Sequence, residues 1–158
     1  MTPQKCIMQC LLMAVLVMGI ISGSTAHADE MINGIAVPPE PDAKENNTTL
    51  AGVDSNKNGV RDDVERMIAK KVSSPDTFSV PMTIAAAYQS VVAVGLKSQS
   101  ESNKFLITIA CAAEKTADNL SSTDIQKAIL NNSNRMKAFR YNTRNFGGME
   151  IDTDTDCK

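Results

Sequence analysis

Twelve consecutive residues constrain this chain more than anything else in it. Asp54 to Glu65 read Asp-Ser-Asn-Lys-Asn-Gly-Val-Arg-Asp-Asp-Val-Glu. Oxygen-bearing side chains stand at the first, third, fifth, ninth and twelfth places, with glycine at the sixth. That spacing keeps neither the helical nor the strand period throughout. It suits a chain that bends back on itself at Gly59, where the missing Cβ permits a left-handed backbone. The bend gathers Asp54, Asn56, Asn58, the backbone carbonyl of Val60, Asp62 and Glu65 around one point. Oxygens in that number are the ligand set of a hard cation such as Ca2+, which takes six to eight of them.

Every specified position of the twelve-residue calcium-loop template is met, and on these residues the segment resembles the EF-hand family. The likeness covers the loop and the helix after it. It implies calcium as cofactor, with Glu65 binding bidentately from the first helical turn. Two departures narrow the comparison. Arg61 fills the eighth position, where an apolar residue is usual, and Asn47 to Val53 make a poor incoming helix. The segment is therefore similar to solitary, dockerin-like or thrombospondin-repeat-like loops of secreted bacterial proteins. Three anionic ligands beside Lys57 and Arg61 place the expected affinity at roughly 10⁻⁵ to 10⁻³ M. The plainer alternative is an Asn-Gly turn followed by a solvated, acidic helix start.

The N-terminus carries one charge, Lys5, before an apolar run from Leu11 to Ile21. Ala26-His27-Ala28 then precedes Asp29. This is the order of a secretory signal peptide, residues 1–28, cleaved after Ala28. The run falls short of the roughly 18 to 20 residues that cross a bilayer, so no membrane anchor is expected to remain. A periplasmic or secreted location follows as the expectation. Residues 29–158 are 130 of the 158, the size of one domain. Without Lys5 they hold 15 basic and 18 acidic side chains, net −3, too mild to point to nucleic acid. The sole histidine, His27, leaves with the leader, which excludes Ser-His and Cys-His hydrolases and histidine-ligated metals. Cys111 and Cys157 remain, and in an oxidising compartment they are expected to pair.

Periodicity predicts an all-α fold, a small irregular bundle with the loop set before its first helix. Residues 29–49, interrupted by Pro38-Pro39-Glu40-Pro41, read as a flexible arm, and residues 50–158 as the helical calcium-loop domain. Helices are predicted over Asp62–Lys71, Pro81–Lys97, Asn103–Asp118, Thr123–Asn131 and Ser133–Phe146. Ser121 and Asp124 form a capping-box pattern before the fourth. The fifth carries an apolar stripe of Met136, Phe139 and Phe146 and a basic stripe of Lys137, Arg140 and Arg144. The acidic tail is expected to be non-helical.

These features lead to an expected exported, non-catalytic, calcium-binding module that acts by contact with a protein partner. An immunity-type inhibitor of a periplasm-directed toxin is an alternative by analogy of architecture. A carboxylate- or calcium-dependent periplasmic enzyme is another. The Lys137, Arg140 and Arg144 stripe is a candidate partner face, and its plainer reading is a solvated helix side.

Overall fold

The computed structural model describes residues 29–116 and 120–158. The expected leader, 1–28, and the expected end of the third helix at Asp118 lie outside the described residues. The rest is mostly helical, as expected. A hairpin, β1 (Glu30–Ile32) and β2 (Ile35–Val37), comes first, followed by a single turn of helix, α1 (Ala43–Asn46). The loop then leads into α2 (Asp62–Lys71). Beyond a 3-10 turn at Pro75–Thr77 come α3 (Ser79–Ala93), α4 (Gln99–Ala113), α5 (Ser122–Ile129) and α6 (Ser133–Thr143). A last short turn, α7 (Thr153–Asp156), closes the chain. The loop therefore stands before the second helix and not the first.

The expected flexible arm is packed instead. Asn33 and Gly34 both take positive φ, 50° and 79°, and join antiparallel strands with Ile32 opposite Ile35. An Asn-Gly pair between short apolar runs favours this turn because its twist matches that of the strands. The proline-rich break after it masks that signal in the sequence. Val37 is fully buried, and the Asn33 Nδ2 donates to the Ala69 and Val72 carbonyls, each at 3.0 Å. These are carbonyls at the C-terminal end of α2, where the helix has no donors left of its own. Arg66 completes the attachment by donating to Glu30 (2.6 Å), the Pro38 carbonyl (2.7 Å) and Glu40 (2.8 Å).

The central helix is α3, which packs against α2, α4, α5 and α6. Ile84, Ala85 and Val92 lie fully buried along it and meet Val64 and Ile68 of α2 and Ile125 and Ile129 of α5. Tyr88 meets Phe105 edge-to-face (5.3 Å between ring centres) and Phe139 at a tilt (5.8 Å), tying α4 and α6 to the same core. α3 was expected to run to Lys97 but stops at Ala93. Gly95 turns left-handed there (φ 86°), and Asn142 of α6 sits 3.0 Å from where a Cβ would be. The capping box of α5 forms as expected, with Asp124 N–H donating to Ser121 Oγ and Ser121 N–H donating to Asp124 Oδ2. α6 ends at Thr143, short of Gly147-Gly148, and Met136 of its expected apolar stripe is exposed. The acidic tail forms the helical turn α7, whose N-terminal N–H at Asp154 is capped by Asp152.

Cys111 of α4 and Cys157 are joined in a disulfide, with Cα atoms 5.4 Å apart and a sequence separation of 46. Closing a loop of that length restricts the unfolded chain and is worth about 3 to 4 kcal/mol in the chain-entropy model. Replacing both cysteines by serine is expected to lower unfolding free energy by about that amount in urea titration.

Candidate functional site

The loop is closed at its base by Asp62 N–H donating to the Val53 carbonyl at 2.9 Å. Inside it, Asp54 receives the Asn58 N–H on Oδ1 (3.1 Å) and the Gly59 N–H on Oδ2 (2.9 Å). Gly59 has φ 87°, the left-handed conformation expected of it, and Lys57 also turns left-handed at 59°. The two bends aim the alternate side chains inward. Asn56 Nδ2 (3.0 Å) and Asn58 Nδ2 (2.8 Å) both donate to one oxygen of Glu65, Oε2. Asp62 Oδ1 receives the Ser55 N–H at 3.0 Å. Val60 turns its side chain into the core, fully buried, which fixes the backbone on either side of its carbonyl.

So the structure brings Asn56, Asn58 and Glu65 into mutual contact and folds Asp54 and Asp62 onto loop amides. Among the described residues no three Asp, Glu, His or Cys side chains gather into a metal-holding group. The convergence runs through amides. Each asparagine oxygen accepts one backbone N–H, Asn56 from Asn58 and Asn58 from Val60. An amide oxygen has two lone pairs, so one remains on each.

Electrostatics oppose the arrangement. Burial raises the Glu65 pKa, and the charges of Asp62 and Asp54 raise it further, against the lowering effect of the two asparagine bonds. Burial likewise raises the Asp62 pKa, with Asp54 and Asp63 adding repulsion and the Ser55 bonds opposing. A groove of about 630 Å³, walled partly by Glu40, Asp42, Glu45, Asn56 and Asp62, opens beside the loop. Its acidic side chains favour any approaching cation.

Two arginines that sequence reasoning did not single out as structural hold the loop in place. Arg61, at the eighth position, is fully buried. It forks onto Asp63 (2.9 and 3.1 Å) and donates to the Ala128 (2.9 Å) and Ile129 (3.1 Å) carbonyls at the end of α5. A cation is favoured there by the helix dipole. This explains why an apolar residue is not needed at that position. Arg135 of α6 is also fully buried and grips the stretch before the loop. Its donors reach the carbonyls of Asn46, Thr49 and Leu50 and the side chains of Asn47 and Asn131. In the sequence its signal is position: Arg135 shares the inward stripe of α6 with Phe139 and Asn142, at helical spacing.

Gly52 lies between the two guanidinium groups with φ 70°. A Cβ there would stand 2.2 Å from Arg61 Cδ and 2.9 Å from Arg135 Nη2. At Gly59 a Cβ would meet nothing within 4 Å.

Comparison with protein-family models, curated proteins and solved structures finds no match. The glycine pair gives a direct check on the geometry. Gly59→Ala carries only backbone strain and is expected to cost about 1 to 2 kcal/mol. Gly52→Ala adds overpacking to the same strain, for about 2 to 5 kcal/mol in all. Urea denaturation should rank the two in that order.

Proposed function

We propose that the chain is an exported calcium-binding helical module whose ion is structural and whose work is contact with a protein partner, without catalysis. One observation supports this reading above the others: the bend at Gly59 gathers Asn56, Asn58 and Glu65, with the two amide N–H groups donating to one Glu65 oxygen in the place where an ion would instead draw in the amide oxygens. Under this proposal Asp54, Asn56, Asn58, the Val60 carbonyl, Asp62 and Glu65 hold the ion. The cation supplies positive charge where burial and like charges make Asp62 and Glu65 unfavourable as anions. The buried arginines keep the surrounding backbone in place, so little ordering is left for binding to bring about.

The leader-like order of residues 1–28 supports the same reading, since calcium is plentiful outside the cytoplasm and the proposed affinity needs that abundance. Among the described residues no helix is long and apolar enough to cross a membrane.

Two outcomes test the site. Calcium at a hundredfold excess over its Kd is expected to stabilise the fold by about 2.7 kcal/mol. For a chain of this size that is a rise of roughly 10 °C in melting temperature. Glu65→Gln should abolish the rise, and equal melts in calcium and chelator would overturn the proposal.

The second outcome concerns pH. Raised folded-state carboxylate pKa values mean that the folded chain binds more protons than the unfolded one. In chelator, the contribution of Asp62 and Glu65 should therefore weaken as pH rises from about 4, the ordinary carboxylate value, through their higher folded values. Glu65→Gln, which cannot ionise, should flatten that decline in melts between pH 4 and 8. In calcium, whose binding needs the ionised carboxylates, native stability should instead increase across the same range.

A further inference from the structure

The outer face of α6 is set apart from the rest of the chain by charge. No Asp or Glu occurs between Asp124 and Glu150, in a chain that has 18 of them. The helix turns Arg135, Phe139 and Asn142 inward, where Arg135 binds the segment before the loop and Asn142 donates to the Val91 carbonyl. Met136, Lys137, Arg140, Tyr141 and Arg144 are left on the opposite face, all exposed. Among the described residues the ion pairs are those of Arg61, Arg66 and Lys70, and none involves these three cations. The Arg144 guanidinium lies 3.8 Å from the centre of the Tyr141 ring. That contact holds an aromatic surface and a positive charge in one fixed arrangement.

We infer that this face docks an acidic protein surface: carboxylates meeting Lys137, Arg140 and Arg144, with an apolar side chain seated on Tyr141 at the edge of that stripe. The inference rests on the proposed reading of the chain as a protein-contact module and names its surface and its class of partner. Charge complementarity selects the sign of the partner. The composition selects its kind. Tyr, Met and Arg are enriched in protein interfaces, and Arg and Tyr are the residues that most often carry their binding energy. An anionic membrane is the poorer match, because recognition of that surface uses clusters of four to eight cations.

The test uses the full mature chain, isotope-labelled, and a synthetic probe peptide of sequence Glu-Glu-Leu-Phe-Glu-Glu, titrated by NMR in calcium and in chelator. Saturable shifts centred on residues 136–144, weakening as salt rises, are the expected result. Lys137→Glu/Arg140→Glu/Arg144→Glu should reduce affinity at least tenfold. Lys97→Glu/Lys104→Glu/Lys115→Glu, with the same net charge, should leave it nearly unchanged. Tyr141→Ala should weaken the native probe but not Glu-Glu-Ser-Ser-Glu-Glu, which lacks the apolar centre. Melting curves establish that each variant folds, and every substituted side chain is solvent-exposed or part-exposed. Shifts spread over the whole surface, equal loss in both triple variants, or tighter binding to phosphatidylglycerol vesicles than to the peptide would overturn the inference. A chain that binds the probe yet melts alike in calcium and chelator would retire the calcium proposal and keep this surface. One that gains stability from calcium but shows no shifts in α6 would do the reverse.

Discussion

Arg135 has five N–H donors, and five acceptors surround it: three backbone carbonyls and two asparagine side chains. None of the five is a carboxylate. A buried cation without a counter-ion is costly, and burial pushes the Arg135 pKa down to about 10, with the nearby charge of Arg61 adding to the effect. It remains cationic at neutral pH. What offsets the cost is the complete use of its donors by a stretch of chain that would otherwise have irregular, unpaired carbonyls. The dependence is mutual: residues 46–50 are ordered because Arg135 is there, and Arg135 can be buried because they wrap it.

The loop inherits its position from that arrangement. On its incoming side Arg135 fixes the backbone, Asn46 Oδ1 accepts the Val53 N–H at 3.0 Å, and Gln89 of α3 donates to the Ala51 carbonyl at 2.9 Å. On its outgoing side Arg61 is anchored on the last carbonyls of α5, and Arg66 and Asn33 fasten α2 to the hairpin. At Gly52 both arginines crowd the space a Cβ would take, and only glycine leaves room. A frame that takes the place of an incoming helix is thus made from side-chain donors and backbone acceptors. It draws on parts of the chain far apart in sequence, which suits a loop that has no partner loop among the described residues.

One helix carries both halves of the functional proposal. The inward side of α6 supports the loop through Arg135 and the aromatic core through Phe139, while its outward side is basic and aromatic. Helical periodicity makes this division, since residues three and four apart share a side. The disulfide and α7 secure the far end of α4, on which α6 leans through the contact of Phe105 with Phe139. Any force applied at the outer face therefore meets a braced helix.

Much of the helical content was legible in the residues themselves. The span of α2, the capping box of α5 and the start of α6 follow from local patterns, and Cys111 and Cys157 are the two cysteines that lie outside the N-terminal apolar stretch. The bend at Gly59 was legible for the same reason: a twelve-residue template with glycine at its sixth place leaves little conformational choice. The ends of α3 and α6, the docking of the hairpin, and the burial of Arg61 and Arg135 were not. Local sequence reports what a segment prefers, and these features arise between segments distant in the chain. A charged side chain reads as surface until its acceptors are known, and here the acceptors of Arg135 include residues as far as 89 positions away. The sequence by itself determined the main helices and the oxygen pattern of the loop. Tertiary structure alone decided what frames that loop, because the satisfaction of a buried guanidinium depends on carbonyls that only folding brings together.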